Sequence, residues 1–362
     1  MSQRTLLLSA GGTGGHLFPA QALAQEMRQR GWTIHLATDE RAEQYSDSFP
    51  ADEIHIVPSA TIRGKNPIAL AKTFFQLLKG YLKARGLLKS ISADVVVGFG
   101  GYPTVPPLLA ASHMGVPTIL HEQNAVMGRA NRFLASRVKA VATGFLQQGD
   151  ISAGFAPVTV TGNPLRQNAH EAAKTPFDAP RMNGVFNLLV FGGSQGAHFF
   201  SEVIPKALKL LSDDQLYRLR LVMQARPEDS ARVRGDFVGM EVAADVDSFF
   251  TDMPDRIAKS HLVICRSGAS SVSELALIGR PSILVPLPGA LDDDQGANAA
   301  MLEEAGGAIL VRQRDLTAEK LAELIKDAME RPEMLAKQAQ CAKNTAVPDA
   351  AQRLANLVEF HA

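Results

Sequence analysis

Three glycine-bearing turns and two polar runs carry most of the chemistry open to this chain. GGTGGH at residues 11–16 follows the apolar run Thr5–Ser9 and opens a helical pattern ending near Gly31. GGSQGAH at 192–198 follows an apolar run in the same way, and CRSGA at 265–269 follows Leu262–Cys265. A buried strand that breaks at glycine and enters a helix gathers free backbone N–H groups and the positive end of the helix dipole at one point. A phosphate is the natural occupant. The polar runs HEQN at 121–124 and DDDQGANA at 292–299 each follow an apolar run, 116–120 and 282–287. They therefore fall at the carboxyl edge where open α/β sheets bind ligands.

Single side chains stand out within these stretches. His16 closes its glycine loop, and an ordinary pKa near neutrality suits it to general-base work; orienting the loop or holding an acceptor phosphate is the other reading. Glu274 follows Ser271 by three residues, a spacing that fits a capping box and equally fits a carboxylate accepting hydrogen bonds from a ribose diol. Asp292, Asp293 and Asp294 could hold a cation, yet solvated loop carboxylates are the commoner outcome, and no metal is assigned. His121 reads either as a satisfied loop histidine or as a binding residue.

The elements that must position these residues follow from apolar patterning. Strands are predicted at Thr5–Ser9, 32–37, 94–99, 116–120, Leu262–Cys265, 282–287 and 309–311, with glycine turns and helices between them. Alternation of this kind builds doubly wound parallel sheets. The second half repeats the first: LLVFGGSQGAH at 188 echoes LLLSAGGTGGH at 6, and GRPSIL at 279 echoes GVPTIL at 115. TGNPLRQNAHEAAKTPFDAP, beginning at 161, reads as the linker. Helical patterns at 316–329, 332–343 and 348–360 close the chain as solvated faces without assigned chemistry.

Between residues 54 and 93 there is no acidic residue, while Arg63, Lys65, Lys72, Lys79, Lys83, Arg85 and Lys89 contribute seven positive charges. Pro67 can open a helix with Lys72, Gln76, Lys79 and Lys83 on one face and Leu70, Phe74, Leu77, Leu78 and Tyr81 on another. An ordinary packed amphipathic helix would show the same apolar stripe. The charge asymmetry points instead to an anionic membrane surface at 63–89.

Bulk composition sets the remaining bounds. The 362 residues exceed what one core usually supports, so two domains are expected. The 37 basic residues balance 37 acidic ones, and no global field favours nucleic acid. Two cysteines are too few for a disulfide framework and fit a reducing compartment. Neither an export signal nor an apolar stretch of membrane-spanning length is present, so the chain reads as soluble or peripheral.

In this order, GGTGGH at 11, GGYPTVPP at 100, HEQN at 121, TGNPLR at 161, GGSQGA at 192, CRSGA at 265, Glu274 and DDDQGANA at 292 resemble the MurG family of bacterial peptidoglycan glycosyltransferases, which add N-acetylglucosamine to lipid I to make lipid II. The resemblance covers nearly the whole chain. It implies an α/β GT-B fold, two Rossmann-like doubly wound domains facing across a cleft. Residues 1–162 would form an acceptor- and membrane-binding domain and 163–344 a UDP-sugar-binding domain, with helix 345–362 returning to the first. It implies UDP-N-acetylglucosamine and lipid I as partners, no cofactor or metal, and a peripheral place on the cytoplasmic face of the bacterial inner membrane.

The same resemblance implies site residues. Arg166, Ser194 and Gln195 would lie near the donor diphosphate, Phe250 would offer backbone groups to uracil, Glu274 would hold the ribose, and Gln295 with Asp294 would meet sugar hydroxyls. Further donor contacts are implied at Thr13, Gly14, Gly15, Asn124, Arg266, Ser267, Gly268 and Ala269. Acceptor contacts are implied at Gly12, Tyr102, His121, Glu122 and Gln123, with the acceptor diphosphate at the GGTGGH loop. His16 is the candidate base. One departure is Asp294, where related sequences often carry histidine or glutamine.

Three other readings share parts of the pattern. A UDP-N-acetylglucosamine 2-epimerase would need no lipid acceptor. A dinucleotide oxidoreductase would need GxGxxG, which neither loop matches. A non-catalytic sugar-nucleotide-binding subunit would bind donor and transfer nothing.

Overall fold

The computed structural model describes residues 3–40, 49–60, 66–147, 154–193, 196–289 and 291–362. Contacts divide the chain into two units, Met1–Arg166 with Val347–Ala362, and Gln167–Ala346. The first boundary falls four residues beyond the position predicted from the linker, because the polar residues after Gly162 are held by the first unit. Asn163 Nδ2 donates to the Gln123 carbonyl at 3.0 Å, and the Arg166 guanidinium lies 3.7 Å from the centre of the Phe18 ring.

The first unit runs β1 (Thr5–Ser9), α1 (Gly14–Gln29), β2 (Thr33–Thr38), β3 (Glu53–Ile56), α2 (Pro67–Ile91), β4 (Val95–Gly98), α3 (Val105–His113), β5 (Thr118–Glu122), α4 (Arg129–Leu134), β6 (Ala140–Thr143) and β7 (Val158–Val160). Its strands form one parallel sheet in the order β3-β2-β1-β4-β5-β6-β7. The central strands β4, β5 and β6 are buried throughout, as strands covered by helices on both faces should be.

The second unit follows with α5 (Gln167–Ala172), β8 (Phe186–Phe191), α6 (His198–Leu208), α7 (Asp213–Arg218), β9 (Leu219–Gln224), α8 (Pro227–Phe237), β10 (Ala243–Asp247), α9 (Met253–Lys259), β11 (Leu262–Cys265), α10 (Ala269–Ile278), β12 (Ser282–Leu284), α11 (Asp294–Glu304), β13 (Ala308–Leu310), α12 (Ala318–Glu330) and α13 (Pro332–Asn344). Its parallel sheet has the order β10-β9-β8-β11-β12-β13. Each sheet reverses direction beside its first strand, between β1 and β4 and between β8 and β11. Those reversals are the switch points where doubly wound sheets open a crevice for ligand.

The last helix, α14 (Ala350–His361), belongs to the first unit. Leu354, Ala355 and Val358 join the core formed by Leu17, Leu23 and Met27 of α1. Arg30 reinforces the contact by donating to Asn356 at 2.8 Å and Glu359 at 2.7 Å. Gly162 makes the approach possible: its φ is +82°, and a Cβ there would fall 2.7 Å from the Val347 side chain.

Helix α2 departs from ordinary packing. Ala84 and Leu88 are buried against the sheet, whereas Phe74, Phe75, Leu78 and Leu82 are 66%, 74%, 41% and 58% exposed. The basic residues Arg63 and Lys65 and the side chain of Leu70 lie outside the described set.

Candidate active site

In the first unit the switch point is formed by the loop after β1 and the turn after β4. Thr13 precedes the first residue of α1 with extended backbone, so Gly14, Gly15 and His16 form its first turn. Thr13 makes no side-chain cap, and its carbonyl accepts from His16 N and Leu17 N at 3.0 Å each. Gly12 is buried and Gly15 exposed. Gly101, just before Tyr102, packs beside His16: a Cβ there would lie 3.5 Å from His16 Nε2.

His16 Nδ1 lies 3.1 Å from Gln123 Oε1. The amide nitrogen of Gln123 is 3.1 Å from His121 Nδ1 and donates to the His121 carbonyl at 3.0 Å, while His121 Nε2 is 3.1 Å from the Gly162 carbonyl. Burial pushes the His121 pKa down to about 4, so it stays neutral near pH 7. His121 and Glu122 are not loop residues; they are the last two of β5, and both are buried.

Glu122 organises the loop that follows. One carboxylate oxygen accepts from Asn124 N at 2.9 Å and Asn124 Nδ2 at 3.2 Å. The other accepts from Gly128 N at 3.0 Å and Asn131 Nδ2 at 2.7 Å. A buried carboxylate needs partners of this kind, and here the protein itself supplies four. His121, Glu122 and Gln123, the expected acceptor contacts, make these hydrogen bonds within the first unit.

In the second unit the corresponding turn follows β11. Gly268 stands at the N-cap and α10 begins at Ala269, so Ser271 lies inside the helix and no capping box joins it to Glu274. Glu274 is 8% exposed on that helix. Ser267 Oγ donates to the Gln295 carbonyl at 2.7 Å, and Asn298 Nδ2 donates to the Ser267 carbonyl at 3.1 Å. Gln295 Oε1 accepts from Leu287 N at 3.0 Å, which leaves its amino end to donate.

Arg266 is tied into its own unit. Its guanidinium donates to the carbonyls of Val285 and Pro286 at 3.1 Å each and to Gln313 Oε1 at 2.6 Å. It is 6% exposed, and burial lowers its pKa below the usual arginine range. The side chain braces the strand ends.

Phe250 is buried beneath the Arg256 guanidinium, which sits 4.1 Å from the ring centre. The turn after β8 is tight. A Cβ on Gly192 would meet Ala197 N at 2.2 Å, and Gly192 N donates to Gln224 Oε1 at 3.0 Å. Ser194 and Gln195 lie outside the described residues.

The aspartate run is not an open carboxylate cluster. Asp292 and Asp293 have left-handed backbone, with φ of 67° and 52°, and Asp293 pairs with Arg312 through two bonds at 2.6 and 2.7 Å. Asp294 starts α11, and burial raises its pKa. Among the described residues one cluster has metal-ligand spacing, His35, Glu53 and His55, far from the glycine loops in sequence and at the edge pair β2–β3. There His35 Nδ1 and His55 Nε2 hydrogen-bond each other at 3.0 Å. Asn131, Asn163, Gln224 and Gln313, which hold the loops, were not anticipated; isolated amides carry no sequence signal for such work.

The donor residues expected from resemblance fall in both units: Thr13, Gly14, Gly15, Asn124 and Arg166 in the first, Phe250, Arg266 to Ala269, Glu274 and Gln295 in the second. Residues 6–143 match the glycosyltransferase family 28 N-terminal domain, and residues 187–354 match its C-terminal domain. Across 360 residues, 99% of this chain and 96% of the relative, it is 56% identical to the UDP-N-acetylglucosamine--N-acetylmuramyl-(pentapeptide) pyrophosphoryl-undecaprenol N-acetylglucosamine transferase of Sinorhizobium fredii (strain NBRC 101917 / NGR234). The chain belongs to glycosyltransferase family 28.

As a family 28 member it is a hexosyltransferase of the GT-B fold class. The crystal structure of MurG from Acinetobacter baumannii is similar over 99% of both chains, with a TM-score of 0.78 at 30% identity. A putative UDP-N-acetylglucosamine 2-epimerase from Listeria monocytogenes shares the fold, with a TM-score of 0.69 over 99% of this chain and 97% of that one; at 15% identity the likeness is one of fold alone.

Proposed function

We infer that this glycosyltransferase moves N-acetylglucosamine from UDP-N-acetylglucosamine to the C4 hydroxyl of N-acetylmuramic acid in lipid I, with inversion, forming lipid II. What carries the reading is the near-full-length identity to a transferase of that name. The reading routes the chemistry through the first unit. The hydroxyl oxygen attacks the anomeric carbon, the bond from that carbon to the diphosphate oxygen breaks with its electron pair leaving on UDP, and the hydroxyl proton passes to His16 Nε2. General-base help of this kind is worth ~10² to 10⁴ in rate.

The donor reading assigns the diphosphate to glycine turns with helix amino ends and to Arg166. Glu274 takes the ribose, and the backbone beside Phe250 takes the uracil. Gln295 meets the sugar through its amino end. The acceptor diphosphate falls at Gly12 and the first turn of α1, with Tyr102 nearby. Backbone N–H groups and a guanidinium can stabilise a leaving diphosphate without a divalent ion.

The membrane side of the reading rests on α2. An apolar groove of about 380 Å³ is lined by residues of α2, α3 and α4, among them Phe74, Leu78, Leu109, Arg129 and Phe133, and by Tyr102 in the turn before α3. Tyr102 joins this groove to the turn beside His16. Exposed Phe74, Phe75, Leu78 and Leu82 enter the lipid, with Lys72, Lys79 and Lys83 at anionic headgroups on the cytoplasmic face of the inner membrane. No helix among the described residues is long and apolar enough to cross a membrane.

Labelled N-acetylglucosamine supplied as the UDP-sugar, with and without a lipid I analogue and with and without EDTA, tests the proposal. Transfer only with acceptor, unaffected by EDTA, is expected; consumption of donor alone would mark an epimerase, and loss of transfer in EDTA would restore a metal requirement. His16→Ala should lower kcat by ~10²-fold or more.

A further inference from the structure

Two main-chain carbonyls fix the direction of every hydrogen bond between His121 and His16. Gly162 O, 3.1 Å from His121 Nε2, can only accept, so that nitrogen carries the proton and His121 Nδ1 carries a lone pair. The carboxamide of Gln123 is oriented by the His121 carbonyl at 3.0 Å, which also only accepts. The amide nitrogen must therefore face His121, where its second proton meets Nδ1 at 3.1 Å, and the amide oxygen must face His16. Reversing the amide would set two oxygens against each other at that distance. At the far end Gln123 Oε1, 3.1 Å from His16 Nδ1, is left as an acceptor.

We propose that His121 and Gln123 are positioning residues that hold His16 in its Nδ1–H tautomer, keeping the lone pair on Nε2 for the acceptor's hydroxyl proton. This rests on the reading of His16 as base. The relay is well suited to the task. His121 is fully buried and Gln123 is 2% exposed, so neither exchanges partners with water. Asn163 holds the Gln123 carbonyl at 3.0 Å, fixing the backbone from which the carboxamide projects. Burial keeps His121 neutral, with a pKa of about 4, so the direction of the relay does not reverse near pH 7. When His16 takes the proton, its Nδ1–H remains bonded to Gln123 Oε1 as a charge-assisted bond. In serine-protease triads, loss of the acceptor that sets the histidine tautomer costs about 10⁴ in kcat, where that acceptor is a carboxylate. A neutral amide should matter less.

The test is ¹⁵N NMR of the full-length enzyme labelled at histidine, with steady-state kinetics of Gln123→Met. In the unmutated enzyme neutral His16 should show a protonated Nδ1 and a bare Nε2. Gln123→Met should move the proton to Nε2 and lower kcat by ~10- to 100-fold, with the KM for UDP-N-acetylglucosamine within about twofold, a split that general misfolding would not give. A bare Nδ1 in the unmutated enzyme overturns the proposal even if the variant fails to fold. Gln123→Met at parental kcat beside an inactive His16→Ala also overturns it. Parental turnover in His16→Ala identifies the other failure, that of the base reading, because the tautomer spectrum does not depend on it.

Discussion

Arg266 and Gln313, 47 residues apart in sequence, meet through a bond of 2.6 Å from guanidinium to carboxamide oxygen. The same guanidinium holds the carbonyls that end β12's segment, so the arginine after β11 fixes the loop leading to Gln295.

Arg266→Met should therefore behave as a stability variant. It strands two buried carbonyls and one half-buried carboxamide oxygen and should cost ~3 kcal/mol in the second unit, read as a lower urea midpoint. A loss below about 1 kcal/mol would mean that the brace is dispensable.

Glu274→Gln should leave stability near parental, because the helix starts ahead of Ser271 and the amide keeps the side chain's shape and an accepting oxygen. The KM for UDP-N-acetylglucosamine should rise about tenfold or more, equivalent to ~1.4 kcal/mol of donor binding. An unchanged KM with a lowered melting temperature would make Glu274 a packing residue.

His121 makes acid stability specific. Its folded pKa of about 4 lies below the ordinary 6.5, so between those values the unfolded chain binds a proton that the folded chain refuses. The contribution is complete above pH 6.5 and is lost as pH falls toward 4, ~3 kcal/mol in all. Comparing urea unfolding at pH 7 and 4.5, the parent should lose about 2 to 3 kcal/mol more than His121→Gln. Equal losses would show that His121 is not held neutral.

Replacing Lys72, Lys79 and Lys83 together with alanine should weaken partitioning onto anionic vesicles by about a hundredfold, at ~1 kcal/mol per charge. The deficit should shrink as salt rises. Sedimentation with vesicles measures it; equal binding at low salt would remove α2 from the membrane surface.

Much of this architecture was written in local sequence. Buried parallel strands need unbroken apolar runs, and the turn beyond them needs glycine, so β1 and β11 were placed to the residue and the duplicated halves could be matched by eye. The strands left unread were β3, β6, β7, β9 and β10, three of them sheet edges that bury little, as the wholly exposed β7 illustrates. The family and its chemistry were likewise legible, because glycine turns and their flanking polar residues keep fixed spacing along the chain.

Which partners the polar side chains take within the protein was decided only in three dimensions. Glu122, Gln123 and Arg266 stand out by type and place, but buried donors and acceptors must be satisfied, and the partners that hold them, Asn131, His16 and Gln313, lie elsewhere in the chain. The tautomer of His16 likewise depends on a carbonyl at Gly162, brought beside His121 by the pairing of β5 with β6 and the turn that follows β7. Spacing along a chain can specify an element, but the direction of a hydrogen bond depends on what packing brings opposite it.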